Sequence, residues 1–193
     1  MQVIPTVFDN SFFKAEEKIQ AIKELTHWVQ IDVSDGFFTP GKSFELELVG
    51  KIELIKTLLW DVHLMLKEPI KWLEKCLFVG ASRVAGQVES MSDPETFVKN
   101  AKDMGMEVGL AYDIDTPVGK IPEETDFILL MGRKAGFEQT DFERKVLEKI
   151  KGIKIPVAID GGVNLDNIDM IEKAGASWVY AGRSFIDLIN RNG

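Results

Sequence analysis

The stretch WVQIDVSDGFFTPGKSF, residues 28–44, decides how the rest of the chain is read. Val29, Ile31 and Val33 alternate with Gln30, Asp32 and Ser34, and the run then breaks into a loop holding Gly36, Pro40 and Gly41. Alternation with period two marks a strand with one apolar and one polar face. The same split recurs in LLWDVHLML, residues 58–66, where Val62 and Leu64 oppose Asp61, His63 and Met65. It recurs again in KIPVAIDGG, residues 154–162, where Ile155, Val157 and Ile159 leave Asp160 on the other side at the strand's end. A closed barrel accounts for this: apolar positions face an outer layer of helices, and polar positions converge on the axis near the mouth. A carboxylate inside such a barrel needs a partner. Asp35, at the end of strand two, has the simpler role of hydrogen-bonding the turn at Gly36.

Strand-like and helix-like segments alternate along the whole chain. QVIPTVF (2–8) reads as strand one and SFFKAEEKIQAIKELT (11–26) as a helix with Ser11 as N-cap. ELVGKIELIKT (47–57) and EPIKWLEKCLFVG (68–80) read as the next helices, the latter with Pro69 in its first turn and Gly80 at its end. SRVAGQVES (82–90) precedes DPETFVKNAKDMG (93–105), in which Asp93 suits the N-cap, Pro94 the first helical position and Gly105 the C′ position. MEVGLAYDI (106–114) and DFILLMG (126–132) are strands joined by a Pro-interrupted connection. TDFERKVLEKIKG (140–152) is a strongly amphipathic helix pattern, and NLDNIDMIEKAGA (164–176), SWVYAGRSF (177–185) and IDLINRNG (186–193) complete the alternation.

About eight such units in 193 residues leave roughly 24 residues for each, near the lower size limit of a (β/α)8 TIM barrel. The connections leave no room for a second domain or a linker, so residues 1–193 are read as a single barrel domain. The rival fold, a doubly wound open sheet, carries a Gly-rich turn after its first strand. VFDNSFF, which follows strand one here, has no glycine.

Composition sets the outer bounds. A chain 45% hydrophobic and 28% charged reads as an ordinary soluble protein with one sizeable core. A net charge of −8 argues against binding a nucleic-acid backbone. A local pocket can still oppose that charge and take a small anion. The lone Cys76 excludes an internal disulfide and suits a reducing compartment. MQVIPTVFDNSFF lacks a basic region followed by an apolar one, and no apolar run is long enough to span a bilayer. A cytoplasmic protein is the expectation.

Six segments, in order, resemble one family. VQIDVSDGFFTP (29–40) resembles the strand-two signature of the ribulose-phosphate 3-epimerases, His-x-Asp-x-Met-Asp-Gly with a Phe-Val-Pro-Asn-like loop. WDVHLML resembles the family's Asp-x-His-Leu-Met segment, which EPIKWLEK continues, and VAGQVES stands where the family has a strand ending in His-x-Glu. VGLAYDIDTPVGKI, ILLMGRKAGFEQ and AIDGGVN resemble its Gly-x-Ala-x-x-Pro-x-Thr-Pro, Met-x-x-x-Pro-Gly-Phe-Gly-Gly-Gln and Val-Asp-Gly-Gly stretches. The likeness runs from about Ile4 to Phe185.

The resemblance implies a 3-epimerase that interconverts ribulose 5-phosphate and xylulose 5-phosphate. Epimerisation beside a carbonyl needs a base on one face of the substrate, an acid on the other, and stabilisation of the enediolate between. The resemblance gives the acid and base roles to Asp32 and Asp160. It implies a divalent metal (Mn, Zn, Fe or Mg) held by Gln30, Asp32, His63 and Asp160. Gln30 stands where the family has a His, and its neutral amide oxygen shifts preference from zinc toward manganese or magnesium. The phosphate is expected at the loops after strands six to eight, on Gly136, Gly161, Gly162 and Gly182. Arg183 resembles the phosphate-binding Gly-Arg of orotidine-phosphate decarboxylases and hexulose-phosphate synthases. Thr6, Met65 and Met131 match residues that line the family's site. The resemblance also implies association of like chains, with no contact surface readable in the sequence.

Three departures keep alternatives open: Gln30, Gln87 in place of the strand-four His, and Glu138 in place of a loop glycine. One alternative is an aldolase or decarboxylase acting on a phosphorylated substrate through Arg183. DVSD and DVHLM lack the Lys of the decarboxylase pattern Asp-x-Lys-x-x-Asp. The other is a barrel that has lost catalysis and only binds a phosphosugar.

Overall fold

The computed structural model describes residues 1–52, 57–136 and 141–191. Among these residues, eight parallel strands close in sequence order into a barrel: β1 (Gln2–Val7), β2 (Trp28–Ser34), β3 (Leu59–Met65), β4 (Arg83–Gln87), β5 (Glu107–Tyr112), β6 (Phe127–Met131), β7 (Val157–Asp160) and β8 (Trp178–Ala181). Closure is made by β1 and β8, which pair from Gln2↔Trp178 to Pro5↔Ala181. The expected (β/α)8 class is therefore the observed one, and no open sheet edge remains among the described strands.

The outer layer is thinner than the sequence pattern predicts. Its α-helices among the described residues are α1 (Phe12–Ile22), α2 (Leu73–Phe78), α3 (Pro94–Asp103), α4 (Ile168–Lys173) and α5 (Phe185–Ile189). The expected helix after β2 is a 3₁₀ segment, Leu46–Lys51, with residues 53–56 of that pattern outside the described residues. The amphipathic pattern after β6 also winds as 3₁₀, over Arg144–Ile150, and still buries Val146, Leu147 and Ile150. A 3₁₀ turn advances about 2.0 Å per residue against about 1.5 Å for an α-helix. A short return path can therefore run the length of a barrel strand with fewer residues. No described helix is long and apolar enough to cross a membrane.

Local signals act where the sequence places them, with two exceptions: Pro69 opens a 3₁₀ turn, Pro69–Trp72, ahead of α2, and Ser11 makes no side-chain cap. Asp93 caps α3 by accepting from the backbone N–H groups of Glu95 and Thr96 at 3.0 and 3.2 Å. Ser11 occupies the N-cap of α1, but its side chain makes no capping bond. Asp9 instead accepts from the Ser11 N–H at 3.0 Å.

The strand alternation divides the interior in two. Val29, Ile31, Val33, Val62, Leu64, Val157 and Ile159 belong to the large core between barrel and helices. Inside the barrel, a smaller cluster holds Ile4, Met65, Ala85, Phe127, Leu129, Met131, Ala158 and Tyr180. The even-numbered strands supply its floor. The Arg83 guanidinium from β4 lies 4.2 Å from the Trp28 ring of β2, 4.5 Å from Trp178 of β8 and 5.2 Å from Phe127 of β6. Four side chains from alternate strands in one layer is the packing rule of this architecture. Gly109 of β5 makes room for it, because a Cβ there would sit 2.4 Å from the Phe127 ring. Just above, Asp61 of β3 is fully buried, 3.5 Å from Arg83 and accepting from the Tyr180 hydroxyl. Burial pushes the Asp61 carboxyl up to about 6, against the pull of Arg83 and Tyr180.

Candidate active site

Toward the C-terminal ends of the strands, the inward positions turn from aromatic to ionisable. Asp32 of β2 meets His63 of β3 because their Cα atoms pair directly in the sheet register. His63 Nδ1 lies 3.1 Å from Asp32 Oδ1 and 3.7 Å from Asp160 Oδ2, so one ring nitrogen faces two carboxylates from separate parts of the chain. Thr6 of β1 donates its hydroxyl to the other Asp32 oxygen at 2.9 Å. All three ionisable groups are buried, with His63 at 0% exposure. Asp35, by contrast, stays in the loop: it accepts from the N–H groups of Phe37 at 2.8 Å and Lys67 at 3.0 Å, tying together the turns after β2 and β3.

The electrostatics are those of crowded negative charge. Burial, and then the Asp32 charge, push the Asp160 carboxyl up to about 7, against His63, Arg133 and the Gly161 N–H. Burial alone would pull the His63 imidazole down. The hydrogen bond and charge of Asp32, with the charges of Asp160 and Asp61, outweigh it, and its pKa stands above the ordinary value.

Donor atoms of Asp32, His63 and Asp160 lie within 4.8 Å of one another. Gln30, one inward position deeper on β2, is fully buried, and both polar atoms of its amide lack a partner among the described residues. An unsatisfied buried amide is costly. It fits a site in which its oxygen completes a cation's coordination. The residues present thus suit a divalent ion with a mainly oxygen donor set.

Above this cluster opens a cleft of about 620 Å³ lined by Asp32, Asp160, Thr6, Met65 and Met131. Its outer wall is formed by Gly136, Gly161, Gly162, Gly182 and Arg183. Every substrate-contacting position expected from the sequence therefore borders one cavity, while Gln30 and His63 are fully buried and do not line it. The turn after β7 is held open by Asn167, which donates to the Gly162 carbonyl at 2.9 Å and accepts from the Asn164 N–H at 2.9 Å. Gly161 has φ +96°, the left-handed region that favours glycine. Glu138, the departure in the loop after β6, lies outside the described residues.

Sequence reasoning missed two features. Arg133 lines the cleft with its side chain across Gly161, where a Cβ would lie 2.9 Å from Cγ and 3.5 Å from Nε. The signal was the Arg133–Lys134 pair one residue past a strand ending in Met131. The second is the contact of Gln87, a departure already marked in the sequence, which is buried on β4 with its side chain 3.2 Å from His63 Nε2.

Comparison with known proteins agrees in one direction. The chain matches the model of the "Ribulose-phosphate 3 epimerase family" over residues 2–186. It is 28% identical over 196 residues to a ribulose-phosphate 3-epimerase of Bacillus subtilis (strain 168), covering 94% of this chain and 90% of that protein. It is 28% identical over 203 residues to the Synechocystis enzyme of the same name, covering 97% and 88%. Among solved structures, it resembles the tryptophan synthase α-subunit of Pyrococcus furiosus, with a TM-score of 0.71, 15% identity and coverage of 100% and 91%. It also resembles a 3-hexulose-6-phosphate synthase, with a TM-score of 0.67, 15% identity and coverage of 94% and 90%. At these identities, the structural likenesses speak to the barrel fold alone.

Proposed function

The chain belongs to the ribulose-phosphate 3-epimerase family of carbohydrate isomerases, and from that premise we propose that it epimerises C3 of a pentulose 5-phosphate, interconverting the ribulose and xylulose forms with the help of a divalent metal. The whole chain acts as one barrel unit, with the phosphosugar as its small-molecule partner. The observation that carries this reading is the meeting of Asp32, His63 and Asp160 at the floor of one cleft.

In the forward direction, Asp32 takes the C3 proton as base, and the bonding pair moves into the C2 carbonyl to give an enediolate. Asp160 holds a proton on the opposite face and returns it to C3, inverting the centre. The raised pKa of Asp160 supports the acid role, since its carboxyl keeps a proton near neutral pH. After one turnover the protonation states are exchanged, which suits a reversible reaction. Thr6 orients the base by its hydrogen bond.

Gln30, Asp32, His63 and Asp160 are the residues that would hold the metal. When bound, such an ion supplies Lewis-acid polarisation of the substrate oxygens. With Gln30 in place of a His, manganese, iron or magnesium suits the set better than zinc. At the outer end, N–H groups of the Gly161–Gly162 and Gly182 turns and the guanidinium of Arg183 receive the phosphate, with Arg133 alongside.

The test is direct. Purified protein incubated with ribulose 5-phosphate and each of Mn²⁺, Fe²⁺, Mg²⁺ and Zn²⁺ is expected to form xylulose 5-phosphate, fastest with an oxygen-preferring ion. No product with any metal rejects the assignment.

A further inference from the structure

His63 presents two different nitrogens to two different environments. Nδ1 faces Asp32 and Asp160, whereas Nε2 faces the Gln87 side chain at 3.2 Å. What Nδ1 can do depends on which atom Gln87 turns toward the ring. The Gln87 amide has three polar neighbours: Glu89 Oε2 at 2.8 Å, the Ala111 carbonyl at 3.1 Å and His63 Nε2 at 3.2 Å. The first two can only accept. The amide nitrogen must face both of them, and the amide oxygen is then the atom against His63. That oxygen accepts only from an N–H, so Nε2 carries the proton.

Glu89 is itself anchored, its Oε1 accepting from the Asp113 N–H at 2.7 Å. A continuous chain of donors and acceptors thus runs from the backbone after β5, through Glu89 and Gln87, to His63 of β3. In the neutral imidazole, a proton on Nε2 leaves a bare lone pair on Nδ1. That lone pair lies 3.1 Å from Asp32 Oδ1 and 3.7 Å from Asp160 Oδ2, a crowding that a cation or a further proton relieves.

We propose that Gln87 is a positioning residue: held by Glu89 and the Ala111 carbonyl, it fixes the His63 tautomer whose Nδ1 ligates a divalent cation shared with Asp32 and Asp160. Gln87 is fully buried and does not line the cleft. It acts through His63, as outer-shell partners of ligating imidazoles do. The proposal rests on the metal-assisted reading above and adds a residue that reading leaves without a task.

Two measurements test it. In ¹⁵N-labelled, Zn²⁺-loaded wild-type protein, long-range ¹H–¹⁵N correlation is expected to show the His63 proton on Nε2 and a metal-bound Nδ1. Competition with a chelating indicator is expected to show Gln87→Leu binding Mn²⁺ and Zn²⁺ about 10- to 100-fold more weakly than wild type, with Glu89→Leu weakened in the same direction. A proton on Nδ1, no binding of either ion to wild type, or wild-type affinity in Gln87→Leu would each overturn the proposal. If Gln87→Leu does not fold, the wild-type spectrum decides. Tight, Gln87-dependent metal binding without epimerase turnover would overturn the proposed function and leave this inference standing.

Discussion

The barrel encloses a buried carboxylate at its floor and two more near its mouth, and they are treated in opposite ways. At the floor, Asp61 is met by the Arg83 guanidinium and the Tyr180 hydroxyl, and Arg83 is itself packed among Trp28, Trp178 and Phe127. Near the mouth, Asp32 and Asp160 are set against each other with one imidazole between them, and a neighbouring Gln30 amide has no partner among the described residues. A buried charge whose partner is removed is left uncompensated and destabilises the fold. Carboxylates left facing one another cost stability and are retained where chemistry uses them. Mutations at the two ends should therefore have opposite signatures.

The largest effect is expected at the mouth. Asp32→Asn or Asp160→Asn should lower kcat by roughly 10⁴-fold, the upper range for losing a positioned acid or base. Asp160→Asn should melt no lower than wild type above pH 7, because it removes a charge that burial and Asp32 both oppose. A steady-state assay paired with thermal denaturation checks both halves, and an active Asp32→Asn would break the contrast. At the floor, Arg83→Met should cost about 3–5 kcal/mol by leaving Asp61 buried and unpaired. Its folded fraction should bind metal as wild type does.

Metal should remove the imbalance near the mouth. Adding Mn²⁺ at a hundred times its Kd should stabilise the chelator-treated protein by about 2.7 kcal/mol, read as a rise in Tm. A Tm indifferent to Mn²⁺ would mean that the cluster tolerates its own repulsion.

The pH dependence of the metal-free protein follows from the same groups. The folded pKa of Asp160 is raised from 3.8 to about 7, so the native state holds more protons than the unfolded chain between those values. Its contribution is present at low pH and lost as pH rises through about 7. Asp61, raised from 3.8 to about 6 by burial against the pull of Arg83 and Tyr180, has the same sign. So does His63, raised from 6.5 among Asp32, Asp160 and Asp61. Chelator-treated protein should therefore lose roughly 5 °C of Tm between pH 5 and pH 8. A Tm that climbs across that range would contradict the assigned electrostatics. The smallest effect is expected of Gln30→His, which should tighten zinc about tenfold and leave manganese nearly unchanged, measured by competition titration.

Much of this was legible in the sequence, for a simple reason. Parity along a strand is a local property, so Asp32, His63 and Asp160 could be placed inside the barrel from Val29, Val62 and Val157 alone. The Arg83 cage was not legible, because its partners come from β2, β3, β5, β6 and β8 and their contact depends on the stagger of the closed sheet. Nor was the 3₁₀ winding of Arg144–Ile150, since an apolar spacing of three to four residues suits either helix. Gln87 reads in the sequence only as a departure. Its use depends on which way Glu89 turns in the short segment after β4.

The aromatic floor also furnishes an optical gauge. Two of the chain's four indoles, Trp28 and Trp178, open the strands that flank β1 and press on the same guanidinium, at 4.2 and 4.5 Å. Both indoles sit where the first and last strands are joined, and neither lines the cleft. The part of a refolding fluorescence transition that is lost when Trp28 and Trp178 are both replaced by Phe would accordingly time the closing of the ring itself.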